Sequence, residues 1–272
     1  MALHIIGLGL SCAKDITVAG LETVRSCPVV YLENYTSLLQ CSVADLESLY
    51  GCKVVVCDRG ASEQGISKMV SLAKTSDVAF LVIGDPVSAT THMEMYREAK
   101  EAGVKVSIVN NASVFTAIGV TGLQLYKFGK TTSIPFLERV PGLETPYHVI
   151  KANKSIGAHT LCLLDIMVDN VDLETGNKAA SAENTDSESN TKFMTVKEAL
   201  EVLLDIEKRL GEELIDLSTK VVAVARLGCS DMIVKYGSIS ELLDFDFGGP
   251  LHSLVVPGDL HFHEEELLEM WK

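Results

Sequence analysis

In "GDPVSATTH", residues 84–92, one carboxylate sits where an apolar run ends, with small residues after it and an amphipathic helical pattern beyond. Three chemistries fit a lone Asp85: a phosphate cradle, an acid/base catalyst, or a seat for a cationic small molecule. A phosphate needs backbone N–H donors and a Lys; this stretch has no Lys, Pro86 lacks an N–H, and the carboxylate would repel the anion. A sulfonium or ammonium would instead gain Coulombic stabilisation from Asp85, with Ser88, Thr90 and Thr91 as small hydroxyl partners. Against this stands a purely local role, in which Asp85 fixes the turn before Pro86. Local chemistry leaves these last two readings open.

A second stretch, "IIGLGLSC", places Gly7 and Gly9 after the first apolar run and resembles the start of a dinucleotide fingerprint. The third glycine is absent, since Cys12 occupies its place. Glu33, 24 residues beyond Gly9, would be the corresponding ribose-binding acid. The seven cysteines are scattered without a Cys-x-x-Cys pair, the pattern of reduced and mostly buried thiols. His261 and His263 in "LHFH" are expected on one face of a strand, with no further residues at zinc-ligand spacing. No metal site is expected.

The elements that must carry these residues follow from hydrophobic periodicity. Strands are expected at 3–7, 28–33, 53–57, 78–83 and 104–109, with helices at 15–26, 42–50, 64–75 and 90–102. Such alternation implies βαβ crossovers and a parallel sheet, whose ligands bind beyond the carboxyl ends of the strands. Gly84-Asp85-Pro86 falls at such an end. In the second half, "HTLCLLDIMV", "KVVAVARLG" and "PLHSLVVPG" read as buried strands. A helix over 195–210 begins with the capping box Thr195/Glu198. The stretch 169–191 has six acidic residues, one Lys and no aromatic side chain, so it is expected to be a solvated, mobile loop.

With 272 residues and 47% hydrophobic content, the chain can bury the core of one large α/β unit or of two smaller ones. A formal net charge of −14 argues against nucleic acid as partner. No apolar run reaches membrane-spanning length and the N-terminus lacks a signal-peptide pattern, so a cytoplasmic protein is expected.

Taken in order, "GLGLSCAKDITVAGLETVRSC", "VYLENYTSLL", "GDPVSATTHMEMYREAKEAGVKVSIVNNAS", "GVTGLQLYKFGKTTSIPF", "HTLCLLDI" and "PLHSLVVPG" resemble the diphthine synthase family across nearly the whole chain. The resemblance implies two α/β domains of the tetrapyrrole-methylase-like type, here 1–109 and 110–272, with the cofactor in the interdomain cleft, and a homodimer. It implies S-adenosyl-L-methionine as cofactor, S-adenosyl-L-homocysteine as its product, and translation elongation factor 2 as protein partner. The reaction implied is methylation of a 3-amino-3-carboxypropyl histidine: three transfers to the amine, with esterification of the carboxylate in eukaryotic members. Carried onto matching positions, the cofactor contacts are Leu10, Asp85, Ser88, Ser113, Val114, Leu164, Leu227 and His252. Leu10, Leu164 and Leu227 can offer only main-chain polar groups. Loss of the Asp85 side chain is then expected to weaken cofactor binding while sparing the fold. No catalytic residue is assigned. His92 is the nearest candidate base, and a structural role at a helix start is the favoured reading. The rival functions are a tetrapyrrole methylase, a nicotinamide-dependent oxidoreductase and a non-catalytic cofactor-binding protein.

Overall fold

Short β-branched runs separated by amphipathic helices build the first half, as seen in a computed structural model that describes residues 1–33, 37–57, 59–168 and 191–272. Strands β1 (Ala2–Gly7), β2 (Val29–Glu33), β3 (Val55–Cys57), β4 (Val78–Val82) and β5 (Lys105–Val109) form one parallel sheet in the order β3-β2-β4-β1-β5. Between them run α1 (Val18–Ser26), α2 (Val43–Tyr50), α3 (Arg59–Leu72) and α4 (Met93–Glu101). Pleating sends alternate side chains to opposite faces. Ile6 and Leu8 therefore pack with Val24, Leu46 and Tyr50 from α1 and α2. Leu3 and Ile5 pack with Met69, Met95 and Ala99 from α3 and α4. All five residues of β4 are buried, as a strand covered on both faces requires.

The described chain divides into two compact units. The first is Met1–Leu125 with Arg226–Ile233, and the second is Tyr126–Ala225 with Val234–Lys272. The expected boundary after Val109 thus lies inside the first unit, and a short excursion of the second half joins it.

The second unit holds α6 (Thr145–Lys154), α7 (Val196–Leu210), α8 (Ile239–Leu243) and α9 (Phe262–Glu269) with a mixed sheet; α5 (Val114–Ala117) belongs to the first. The sheet contains β6 (Thr132–Ile134), β7 (Thr160–Leu164), β10 (Lys220–Ala225), β11 (Ile233–Ser238) and β12 (His252–Val256), in the order β11-β10-β12-β7-β6. β6 and β7 are parallel, and β12 is antiparallel to both β7 and β10. A separate hairpin-like pair joins β8 (Ile166–Val168) to β9 (Thr191–Phe193). The expected acidic loop lies, up to residue 190, outside the described residues.

Helix α7 starts as its capping box requires: Glu198 N donates to Thr195 Oγ1 at 3.2 Å, and Thr195 N donates to Glu198 Oε2 at 2.8 Å. At its far end Glu207 accepts the Tyr147 hydroxyl at 2.7 Å and the N–H groups of Glu213, Leu214 and Ile215 at 2.8–3.0 Å. Desolvation raises its pKa, but these four bonds outweigh it and hold the carboxyl at about 2.

One strand expectation is corrected. His261 is the N-cap of α9, and Glu264 Oε2 accepts its N–H at 2.8 Å, so "LHFH" opens a helix. The capping pattern His-x-x-Glu overrides the short alternation. Among the described residues, no helix is long and apolar enough to cross a membrane.

Candidate functional site

The loops that leave the carboxyl ends of β1, β4 and β5 meet in the first unit. Leu8 N donates to Val82 O at 2.8 Å, and Gly9 and Gly84 exchange two backbone hydrogen bonds at 3.2 and 2.8 Å. Both glycines have φ of +81°, a conformation in which a Cβ would be strained. Gly7 is needed for space: a Cβ there would come within 2.6 Å of Gly84 O. At Gly84 the Cβ direction is open, with Ala112 O nearest at 3.9 Å.

Asp85 knots these loops together. Its Oδ1 accepts from Val87 N and Ser88 Oγ, both at 3.0 Å, and its Oδ2 accepts from Asn110 Nδ2 at 2.9 Å and Asn111 N at 3.1 Å. Burial would raise its pKa, the residue being 7% exposed, yet the four donors together hold the carboxyl below the usual carboxylate range. Asp85 is therefore a charged and fully bonded group. Asn111 extends the knot, its Nδ2 donating to Gly7 O and Asp15 O, each at 2.9 Å. Asp15 in turn accepts Ser11 N at 2.7 Å. Asn110, Asn111 and Asp15 escaped the sequence reading. The only local signal for the two asparagines is that they form a polar pair after the strand of 104–109.

Ser113, buried, caps the short α5, and Val114 is its first residue. Leu10 lies against Gly228, where a Cβ would come within 2.9 Å of the Leu10 Cβ, and Leu227 is the residue just before. The structure thus gathers Asp85 and Ser88 directly, and brings Leu10 against the segment containing Leu227.

Leu164 and His252 belong to the second unit, where strand register sets them on one edge. Leu164 ends β7 opposite Ile134, Ser253 pairs with Leu163, and His252 pairs with Ala225. Both ring nitrogens of His252 are engaged: Nδ1 accepts from Val196 N at 3.3 Å, so Nε2 carries the proton and donates to Gly249 O at 3.0 Å. Any polar contact of His252 with a ligand therefore falls to its main chain.

His92 is buried, edge-on to Phe80 with ring centroids 5.3 Å apart, and its Nδ1 meets Thr90 Oγ1 at 2.7 Å. Burial lowers its pKa, which the charge of Glu33 and a hydrogen bond to the backbone at Pro86 only partly oppose. It stays neutral at pH 7 and held by the fold, as its helix-start position suggests.

The donor set decides which small molecules suit these loops. Residues 84–92 and 110–114 carry carboxylate, hydroxyl and amide groups but no Lys or Arg. A dinucleotide needs its glycine turn to open directly into a helix N-terminus. Here Gly9 is tied back to Gly84, and α1 begins only at Val18. A sulfonium has no N–H to donate, so it needs a nearby negative field rather than a free lone pair. The fully bonded Asp85 supplies that field, and the small side chains around Gly84 leave room.

Comparison with known proteins places the chain in a family. Residues 2–243 match the model of the family described as Tetrapyrrole (Corrin/Porphyrin) Methylases. The chain is 40% identical over 274 residues to a diphthine methyl ester synthase of Dictyostelium discoideum, covering 100% of this chain and 98% of that one. It is 43% identical over 264 residues to a diphthine synthase of Methanococcus aeolicus, covering 97% and 95%. A crystal structure of a diphthine synthase superimposes with a TM-score of 0.83 at 37% identity, covering 100% of this chain and 96% of that one.

Proposed function

Since the chain belongs to the tetrapyrrole methylase family and, within it, to the diphthine synthases, we propose that it is the S-adenosylmethionine-dependent methyltransferase acting on the 3-amino-3-carboxypropyl histidine of elongation factor 2 in diphthamide biosynthesis. The observation that carries this reading is the charged, four-fold bonded Asp85, set among residues 84–92 and 110–114, which hold no Lys or Arg. A tetrapyrrole, with its many carboxylates, would call for basic side chains at these loops. When bound, S-adenosylmethionine supplies a sulfonium methyl to the substrate and leaves as S-adenosylhomocysteine.

In this reading the cofactor is held by Leu10, Asp85, Ser88, Ser113, Val114, Leu164, Leu227 and His252. Leu10, Leu164, Leu227 and His252 serve through main-chain groups, and Asp85 through its charge. The hydrogen-bonded loops hold these groups in place beforehand, so little order remains to be imposed on binding. Aligning a nucleophile with the methyl group in this way contributes roughly 7–11 kcal/mol to catalysis. The amine loses its proton to solvent between transfers, so no side chain need act as base, and the engaged ring of His92 is consistent with that. A homodimer in the cytoplasm completes the reading, with sedimentation velocity as the check on the dimer.

The test is incubation with labelled S-adenosylmethionine and elongation factor 2 carrying the amino-carboxypropyl histidine, followed by the mass of the modified peptide. Three added methyl groups, or four with an ester, support the proposal. Cofactor binding without transfer would instead favour a non-catalytic binding protein.

A further inference from the structure

Arg139 lies in the turn after β6 and is held against Asp165, the residue that follows Leu164. Its Nη1 donates to both oxygens of Asp165, at 2.8 and 3.0 Å. Asp165 directly follows Leu164 and is itself pinned on three sides. Its N–H donates to Ile134 O at 3.1 Å, its carbonyl accepts Met194 N at 2.9 Å, and its Oδ2 accepts Phe136 N at 3.1 Å. The guanidinium is thereby fixed at one corner, with its side chain 32% exposed and Asp165 15% exposed.

What remains is the useful part of the group. Among the described residues, nothing accepts from Arg139 Nε or Nη2. These two adjacent N–H groups point in parallel and form the fork that matches the two oxygens of a carboxylate. A fork anchored through Nη1 has lost much of its rotational freedom before a ligand arrives. Ile134 and Leu164 end the parallel strands β6 and β7, and ligands of such strands lie beyond their carboxyl ends.

We propose that Arg139 is a specificity-determining residue that receives the carboxylate of an α-amino acid group at this edge. Two molecules of the proposed reaction carry such a group: the 3-amino-3-carboxypropyl side chain of the substrate and the methionyl part of the cofactor. The inference rests on the methyltransferase reading, and its experiment separates the two sources.

The variants are Arg139→Lys, which keeps the charge and the pairing with Asp165 but loses the fork, and Arg139→Gln. Two affinities are measured for each: the Kd of S-adenosylhomocysteine by calorimetry, and the KM of elongation factor 2 carrying the modified histidine. Loss of a charge-assisted bidentate contact weakens the affected affinity by roughly tenfold or more. A rise in substrate KM with unchanged cofactor Kd assigns the carboxylate to the substrate. A rise in cofactor Kd, with loss of the wild type's preference over decarboxylated S-adenosylmethionine, assigns it to the cofactor. The melting temperature of Arg139→Lys should stay near wild type, so that lost affinity is not lost fold. If both affinities stay within twofold in both variants, the inference is wrong. A wild-type protein that binds S-adenosylhomocysteine yet methylates no elongation factor 2 removes the proposed function instead, and the cofactor arm then decides Arg139 alone.

Discussion

Replacing Asp85 by Asn is the most informative single change, because the side chain keeps its shape while its hydrogen-bonding sense is reversed on one side. Wild-type Asp85 accepts four bonds, two from backbone N–H groups and two from side chains that can reorient. In the variant the new amide must face one pair of donors. On the Oδ1 side Ser88 can turn its hydroxyl to accept, but Val87 N–H cannot. On the Oδ2 side Asn110 can flip, but Asn111 N–H cannot. Either way one backbone donor opposes another donor, costing about 1–3 kcal/mol, and the surviving bonds lose their charge assistance. The total is about 2–4 kcal/mol, a fall in melting temperature on the order of 10 °C for a chain of this size.

The pH dependence gives an independent check. The carboxyl of Asp85 titrates below its ordinary value in the folded protein. Its contribution is therefore complete above the unfolded value of about 3.9 and is lost as pH falls through the lower folded value. The stability gap between wild type and Asp85→Asn should be constant from pH 5 to 8 and should narrow under stronger acid. Ser88→Ala, which removes one hydroxyl bond, should cost only about 0.5–1.5 kcal/mol. A variant Asp85→Asn that melts within about 1 °C of wild type would refute this account and leave Asp85 as a ligand group alone. The sequence reading, which expected loss of this side chain to spare the fold, would then have been right.

Glu207→Gln should destabilise the second unit by about 1–3 kcal/mol at neutral pH, since three N–H groups and a tyrosine hydroxyl lose a charged acceptor. With a folded pKa of about 2 against an ordinary value of 4.5, its contribution fades as pH falls from 4.5 to 2, which denaturant titrations at pH 3 and 7 will read. His159 is buried, with Nδ1 accepting Gly258 N at 3.0 Å and Nε2 at 3.1 Å from Glu264, and burial lowers its pKa despite the pull of Glu264. Its folded value lies below the unfolded 6.5, so stability should decline as pH drops from 6.5, and His159→Gln should flatten that decline in urea titrations. Gly9→Ala combines a φ of +81° with a Cβ 2.6 Å from that of Asp15, and should cost about 2–4 kcal/mol and abolish S-adenosylhomocysteine binding by calorimetry. A net charge of −14 should make association with a basic face of the substrate slow as salt rises, a dependence stopped-flow mixing will detect.

The parts of this molecule that were legible in the chain are those whose cause is local. Each strand of the first sheet announces itself by a short apolar run, and α7 by Thr195 and Glu198 three positions apart. The second edge was less legible, because β6 and β8 are three residues each and too short for any period to appear. The return of Arg226–Ile233 to the first unit depends on the close approach of Gly228 to Leu10, more than two hundred positions apart, and no pattern in either stretch encodes it. Asp85 lies between these cases. Its type and its place after a strand were readable, and so was the choice between turn residue and cation partner. The two asparagines that reach it from beyond β5, 25 and 26 positions away, were not. They change the terms of that choice. A carboxylate with every lone pair committed to the fold still carries its charge, and a sulfonium asks only for that charge. In the proposed enzyme one side chain therefore does both jobs, and a stability loss alone in Asp85→Asn argues against neither. The separating measurement is affinity per folded molecule: a turn residue that serves no ligand leaves it unchanged, whereas a residue whose field holds the sulfonium lowers it even where the variant is fully native.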